Sequence, residues 1–188
     1  MMIINPSYSQ KQVNLDVDND LYFDRDFYYS SGIFLSYTST KYKEVNFFID
    51  NFKLGQLIYT PSSRYETDPN KYDYPYSGYL FLEATRKLNI SDYSSFTLGG
   101  NIGITGDASL AKGMQNLYHD IVLNLPNLEW KSQMPQELQI NLVVKFFKGF
   151  NLQDNINFTT EFYSRLGTYQ IMAGMNIGLL IGELQWFS

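Results

Sequence analysis

His119 is the only histidine in 188 residues, so a multi-histidine zinc site is impossible and any Ser-His-Asp triad must take this residue as its base. Gln115 precedes it by four residues, the spacing that puts two side chains on one face of a helix. Such a pair can be turned toward a ligand, or the histidine can be structural or lie on the surface; the spacing allows both. A second group is the run Asp16-Val17-Asp18-Asn19-Asp20, with Asp24 and Asp26 beyond it. Its oxygens are hard donors of the kind Ca²⁺ prefers, but it is not an EF-hand loop. Counted from Asp16, Leu21 stands where that loop needs glycine and Phe27 where it needs a bidentate glutamate. If these residues form a strand, Asp16, Asp18 and Asp20 share a side, and a solvated strand end is the plainer reading. No G-x-S-x-G elbow or P-loop occurs, so neither the usual hydrolase nor the NTPase signature applies. The Gly99-Gly100 pair reads as a bend or close packing within a strand rather than a phosphate cradle.

The histidine needs a helix to carry it. From Ser109 to Leu125 the apolar residues Leu110, Met114, Leu117, Tyr118, Ile121 and Leu125 recur at helical steps, and Pro126-Asn127 closes the segment. Elsewhere the chain alternates like strands. Val13, Leu15 and Val17 interleave with Asn14, Asp16 and Asp18. Residues 27–38 read as a second strand, and 44–59 as a third with a bend near Asp50-Asn51. A loop rich in Pro, Ser, Asp and Asn occupies about 60–76. Strands are expected over 77–88 and 95–104, separated by a turn at Asn89 to Asp92. The alternation is cleanest in Leu138, Ile140, Leu142, Val144 and Phe146; it repeats in Ile156, Phe158 and Phe162, and again from Ile171 to Ile181. About eight such segments, many near the roughly 9–11 residues that cross a tilted bilayer, suit a transmembrane β-barrel. Alternation by itself fits a soluble sandwich or lipocalin-like barrel equally well.

Composition narrows the classes. The length is that of a single domain, read here as one β-barrel over 1–188. The net charge is −5 and no Lys/Arg cluster exists, which argues against nucleic acid. Cysteine is absent, so cysteine usage identifies no compartment. The first residues, Met1-Met2-Ile3-Ile4-Asn5-Pro6, have neither the basic nor the apolar region of a secretory signal. No apolar run approaches the roughly 20 residues of a transmembrane helix, and mean hydropathy is −0.26. Any membrane crossing must therefore be made by strands.

Several stretches taken in order resemble the outer-membrane lipid A 3′-O-deacylases, the LpxR-type family. They are Asp18-Asn19-Asp20, Tyr29-Ser30-Ser31-Gly32, Gln56-Leu57-Ile58-Tyr59-Thr60-Pro61, Asp73-Tyr74-Pro75-Tyr76-Ser77-Gly78, Gln115-Asn116-Leu117-Tyr118-His119 and Trp130-Lys131-Ser132-Gln133. The resemblance implies an all-β, antiparallel outer-membrane barrel of twelve strands, of which this chain has fewer. It further implies a calcium-dependent site between the wall and a short helix, and ester hydrolysis that removes a 3′-acyloxyacyl chain from lipid A of lipopolysaccharide. On the matching positions it implies catalytic roles for His119, Ser30 and Gln115, and Ca²⁺ ligation by Asn19, Asp20 and Ser30, with Ser30 in place of the usual threonine. The chain departs from the pattern at Tyr74 (usually Arg), Asp107 (usually Pro) and Lys131 (usually Asp). A non-catalytic barrel of the same descent, binding lipid or filling a structural role, is the alternative.

Overall fold

The computed structural model describes residues 10–19, 28–43, 46–62, 66, 68–153 and 155–182. Asp20 and the acidic turn at Asp24 to Asp26 lie outside them, and Asn19 is described through its backbone alone. The elements are β1 (Gln10–Asn19), β2 (Tyr28–Lys43), β3 (Asn46–Thr60), β4 (Ser77–Ser91), β5 (Ser94–Thr105), helix α1 (Ala111–Tyr118), β6 (Leu138–Gln153), β7 (Ile156–Gly167) and β8 (Ile171–Ile181). The strands form one eight-stranded sheet in chain order, each antiparallel to the next.

Register decides what alternation left open. Leu15, Leu35, Leu54, Leu82, Ile102 and Ile140 are successive cross-strand partners, a row of branched aliphatics spanning β1 to β6. Every one of them is exposed. On the opposite face the next row over, Glu83, Asn101 and Asn141, is buried. Within β6, Asn141 is 2% exposed while its neighbour Leu142 is 46% exposed. A soluble barrel would hide the leucines and wet the asparagines; here the polarity is inverted, as in a wall with lipid outside and a polar interior.

The polar face is drawn together by its own side chains. In a flat sheet β4 and β7 would lie roughly 14 Å apart, three strand spacings. Yet Arg165 Nη2 of β7 reaches Glu83 Oε2 of β4 at 2.8 Å, and Tyr79 stacks on Tyr169 with ring centroids 3.8 Å apart. Asn101 Nδ2 donates to the same Glu83 oxygen at 3.2 Å, and Asn141 Nδ2 to Asn101 Oδ1 at 2.8 Å. The sheet is therefore curled about this network into a half-barrel, with the apolar rows on its convex side. No described helix is long and apolar enough to cross a membrane.

Several boundaries differ from the sequence reading. β3 pairs through Asp50-Asn51, where a bend was expected, without a register break. The turn expected at Asn89 to Asp92 falls later, because Asn89 still pairs with Ser95 and a bulge carries the chain to Ser91 before it reverses. The Gly99-Gly100 pair sits mid-strand, where a side chain at Gly99 would meet the Ala84 carbonyl, so close packing is the correct reading. Substituting Leu142→Arg should impair folding into lipid vesicles, at a cost of about 2–4 kcal/mol if the position lies near the midplane. Heat-modifiable gel mobility measures this directly, and an unchanged folded yield would show that the convex face does not meet lipid.

Candidate functional site

At the long-loop end of the wall, α1 lies against the convex face, over β3 and β4. The chain enters it through Gly106, whose φ of +73° suits a residue without Cβ, and a short 3-10 turn at Asp107–Ser109. Ser109 Oγ donates to the Gly106 carbonyl at 2.6 Å, and Gln56 Nε2 of β3 donates to the Ser109 carbonyl at 2.6 Å. Below the helix, Gly78 leaves the space that Ser109 and Ala111 occupy. Ala111 then packs with Ile58, Tyr76, Leu128 and Trp130 in a small buried cluster. Asp107 accepts from Gln133 Nε2. Helix geometry continues past Tyr118 as a π-turn over His119–Leu123 and ends at Asn124 in the left-handed region, slightly inside the expected span of 109–125. Such π-turns frequently mark functional sites.

The apolar stripe that betrayed the helix does not form its buried side. Leu117 and Ile121 are exposed, Ile121 by 73%, whereas Gln115 and His119 are buried against the wall. The outward stripe joins the apolar surface of the convex face, and the polar pair faces a cavity of about 220 Å³ between helix and wall. Ser30, Ser31, Gln115 and His119 line it together with apolar side chains, among them Val17, Ile33, Ile58, Met114 and Val122.

Each polar group is held in one orientation. His119 Nδ1 lies 3.1 Å from the Pro126 carbonyl, which can only accept, so Nδ1 carries a proton and, in the neutral ring, Nε2 is the lone-pair nitrogen. Trp130 Nε1, which can only donate, gives its hydrogen to Gln115 Oε1 at 2.7 Å. That fixes the carboxamide, leaving its NH₂ as the group available to the cavity. Ser30 arrives by a different device. β2 and β3 lose register between Tyr29 and Ser31, and the extra residue in a bulge re-aims its side chain. Ser30 Oγ thus sits 2.7 Å from Thr60 Oγ1, buried at the cavity wall.

The acidic run divides. Asp18 accepts from the Tyr29 hydroxyl at 3.3 Å, and Val17, the residue between Asp16 and Asp18, is the one that lines the cavity. Asn19 is paired in backbone register with Ser31, one residue from Ser30. Asp20 lies outside the described residues, and among the described residues no cluster of three His, Cys, Asp or Glu side chains exists. In the long loop, Asp73 accepts from the Ser62 amide at 3.0 Å and from the Tyr28 hydroxyl at 3.0 Å, and chiefly the Ser62 amide holds its carboxyl below the usual range. Tyr74 packs edge-on against Tyr28. Lys131 pairs with Glu129 at 2.6 Å on the surface, and that bond lowers the glutamate and raises the lysine.

The model of a protein family described as outer membrane protein LpxR matches residues 1–186. The chain belongs to the LpxR outer membrane protein family. The solved structure of LpxR from Salmonella typhimurium superposes with a TM-score of 0.72 at 20% identity, over 92% of this chain and 63% of that one. The chain thus spans under two thirds of the length of that relative. No curated protein matches it in sequence. Family and fold together place the polypeptide in the outer membrane, with the convex face toward lipid.

Trp130, Pro126, Thr60 and Gln56 are members of this site that sequence spacing did not assign to it. Trp130 carried a signal, as one of only two tryptophans, 15 residues beyond Gln115. The Pro126 carbonyl carried none, because every residue has one. A side chain at position 78 would collide with Ser109 and Ala111, so Gly78→Val should lift the helix at a cost of about 1–3 kcal/mol. Limited proteolysis is expected to cut within 106–124 while the heat-modifiable barrel persists, and a helix as resistant as in the wild type would refute the packing argument.

Proposed function

We propose that the chain is a calcium-dependent carboxylic ester hydrolase that removes a 3′-acyloxyacyl chain from lipid A of lipopolysaccharide. The observation that carries the reading is His119. Its Nδ1 proton is committed to Pro126, so a basic Nε2 is left to a cavity with apolar walls beside a lipid-facing surface. Water reaching Nε2 gives up a proton to it as its oxygen bonds to the ester carbonyl carbon. The carbonyl oxygen takes the negative charge, for which the Gln115 NH₂ is the donor at hand. As the carbonyl re-forms, the bond to the sugar oxygen breaks, and His119 returns the proton to that oxygen. A fatty acid and a sugar hydroxyl result. Ser30, hydrogen-bonded to Thr60, orients the water or binds metal.

The donor set assigned to calcium suits a hard cation, since Asn19, Asp20 and Ser30 offer only oxygen. The β1–β2 register that sets Asn19 opposite Ser31 supports the assignment by bringing this strand end to the cavity. When bound, Ca²⁺ would supply positive charge at the ester carbonyl. Apolar walls accommodate acyl chains, and the exposed Leu117 and Ile121 set the site at lipid level.

Mass spectrometry of lipid A from membranes carrying the protein should show loss of an acyloxyacyl mass. His119→Ala should slow that release by about 10²–10⁴-fold with the barrel intact, and release at the wild-type rate would sink the assignment. Chelation should stop the wild type, and excess Ca²⁺ should partly restore Asp20→Asn. Indifference to chelator would reject the metal.

A further inference from the structure

We infer that Trp130 is a positioning residue for the ester carbonyl: its indole N–H captures Gln115 Oε1 and thereby presents the Gln115 NH₂ to the developing oxyanion. The inference deepens the esterase reading and rests on it. A carboxamide is nearly symmetric in shape but opposite in polarity at its two ends. Rotated by half a turn, Gln115 would put its carbonyl oxygen into the cavity and repel the charge it is meant to stabilise. Nothing in the helix prevents that rotation. What prevents it is the donor-only Trp130 Nε1 at 2.7 Å, in a contact whose two partners are both buried.

The indole is itself immobilised. It stacks on Tyr76 with ring centroids 5.1 Å apart and an interplanar angle of 22°. Tyr76 is locked to the same return segment, donating its amide to the Ser132 carbonyl at 3.1 Å and accepting from the Met134 amide at 2.8 Å. Trp130 also sits at φ +52°, in the left-handed region that non-glycine residues seldom occupy. Asn116, next to Gln115, clasps the return segment by exchanging hydrogen bonds of 2.9 and 3.2 Å with the Leu128 backbone. A backbone held in a disfavoured conformation by this many ties, so that one N–H meets one carbonyl, has the character of a built support rather than of simple packing.

Trp130→Phe keeps a smaller aromatic ring against Tyr76 and removes the donor. It should lower kcat for fatty-acid release by about tenfold, the scale of one neutral hydrogen bond, with KM little changed. Gln115→Ala should lower kcat by roughly 10²–10³-fold, the scale of one oxyanion donor. In the Gln115→Ala background Trp130→Phe should have no further effect, because there is no amide left to orient. Gln115→Glu, which can still accept from the indole but offers no NH₂, should be as slow as Gln115→Ala. A merely structural role for Trp130 predicts the reverse: a raised KM, faster proteolysis of 106–124 and a loss that multiplies with Gln115→Ala. That pattern, or an active wild type whose kcat is untouched by Trp130→Phe, overturns the assignment while leaving the esterase reading standing. A wild type that releases no fatty acid overturns the esterase reading, and this assignment with it.

Discussion

A wall that faces lipid has no water to satisfy polar groups on its outer surface, and the contact between helix α1 and Gly78 is what allows such groups to exist there. Ser30, Gln115 and His119 are all on the convex side of the sheet, the side that carries the exposed aliphatic row. Left bare in hydrocarbon, each would cost free energy on the order of several kcal/mol. The helix roofs them. Its buried side brings two of the three polar residues, and its outer side continues the apolar surface with Leu117 and Ile121. Without a bare glycine beneath it, the helix could not approach the wall closely enough to cover Ser30.

The opposite face makes the wall able to carry that load. The buried Glu83, Asn101 and Asn141 and the partly buried Arg165 form a chain of hydrogen bonds across four strands. Burying a carboxylate is tolerable because a guanidinium and an amide both reach it. The network curls the sheet and holds β4, the strand on which the helix rests, in a defined place. The two faces thus use different means: the concave one ties Glu83 to its neighbours by hydrogen bonds, and the convex one covers the polar groups of the site with a helix.

Within the site the recurring device is the donor-only or acceptor-only partner. Pro126 contributes a carbonyl and so sets the His119 tautomer; Trp130 contributes an N–H and so sets the Gln115 amide. Neither partner has a second option. Rigid orientation of this kind suits a reaction whose demand is stabilisation of charge as it develops, since a group that must turn during the step loses much of its effect. The β-bulge at Ser30 adds a third fixed group by a backbone route, turning toward the cavity a residue whose strand parity would have sent it elsewhere.

Alternation, helical spacing and residue identity were legible in the linear order. They located the starts of all eight strands to within a few residues but left the ends of β2, β6 and β7 five to seven residues short; they also placed one helix and singled out Gln115 and His119 as a pair sharing a face. These are local properties, set by the period of the backbone. The ordered stretches from Asp18 to Gln133 were enough to name the family. Which face met lipid was not legible, because a period of two describes a soluble and a membrane wall equally; only register across six strands aligned the exposed aliphatics into a row. Nor could the linear order show that the helix buries its polar side, that a bulge re-aims Ser30, or that the Pro126 carbonyl and the Trp130 indole fix the two side chains that matter. Those depend on segments distant in the chain meeting in space, and on backbone groups that every residue shares.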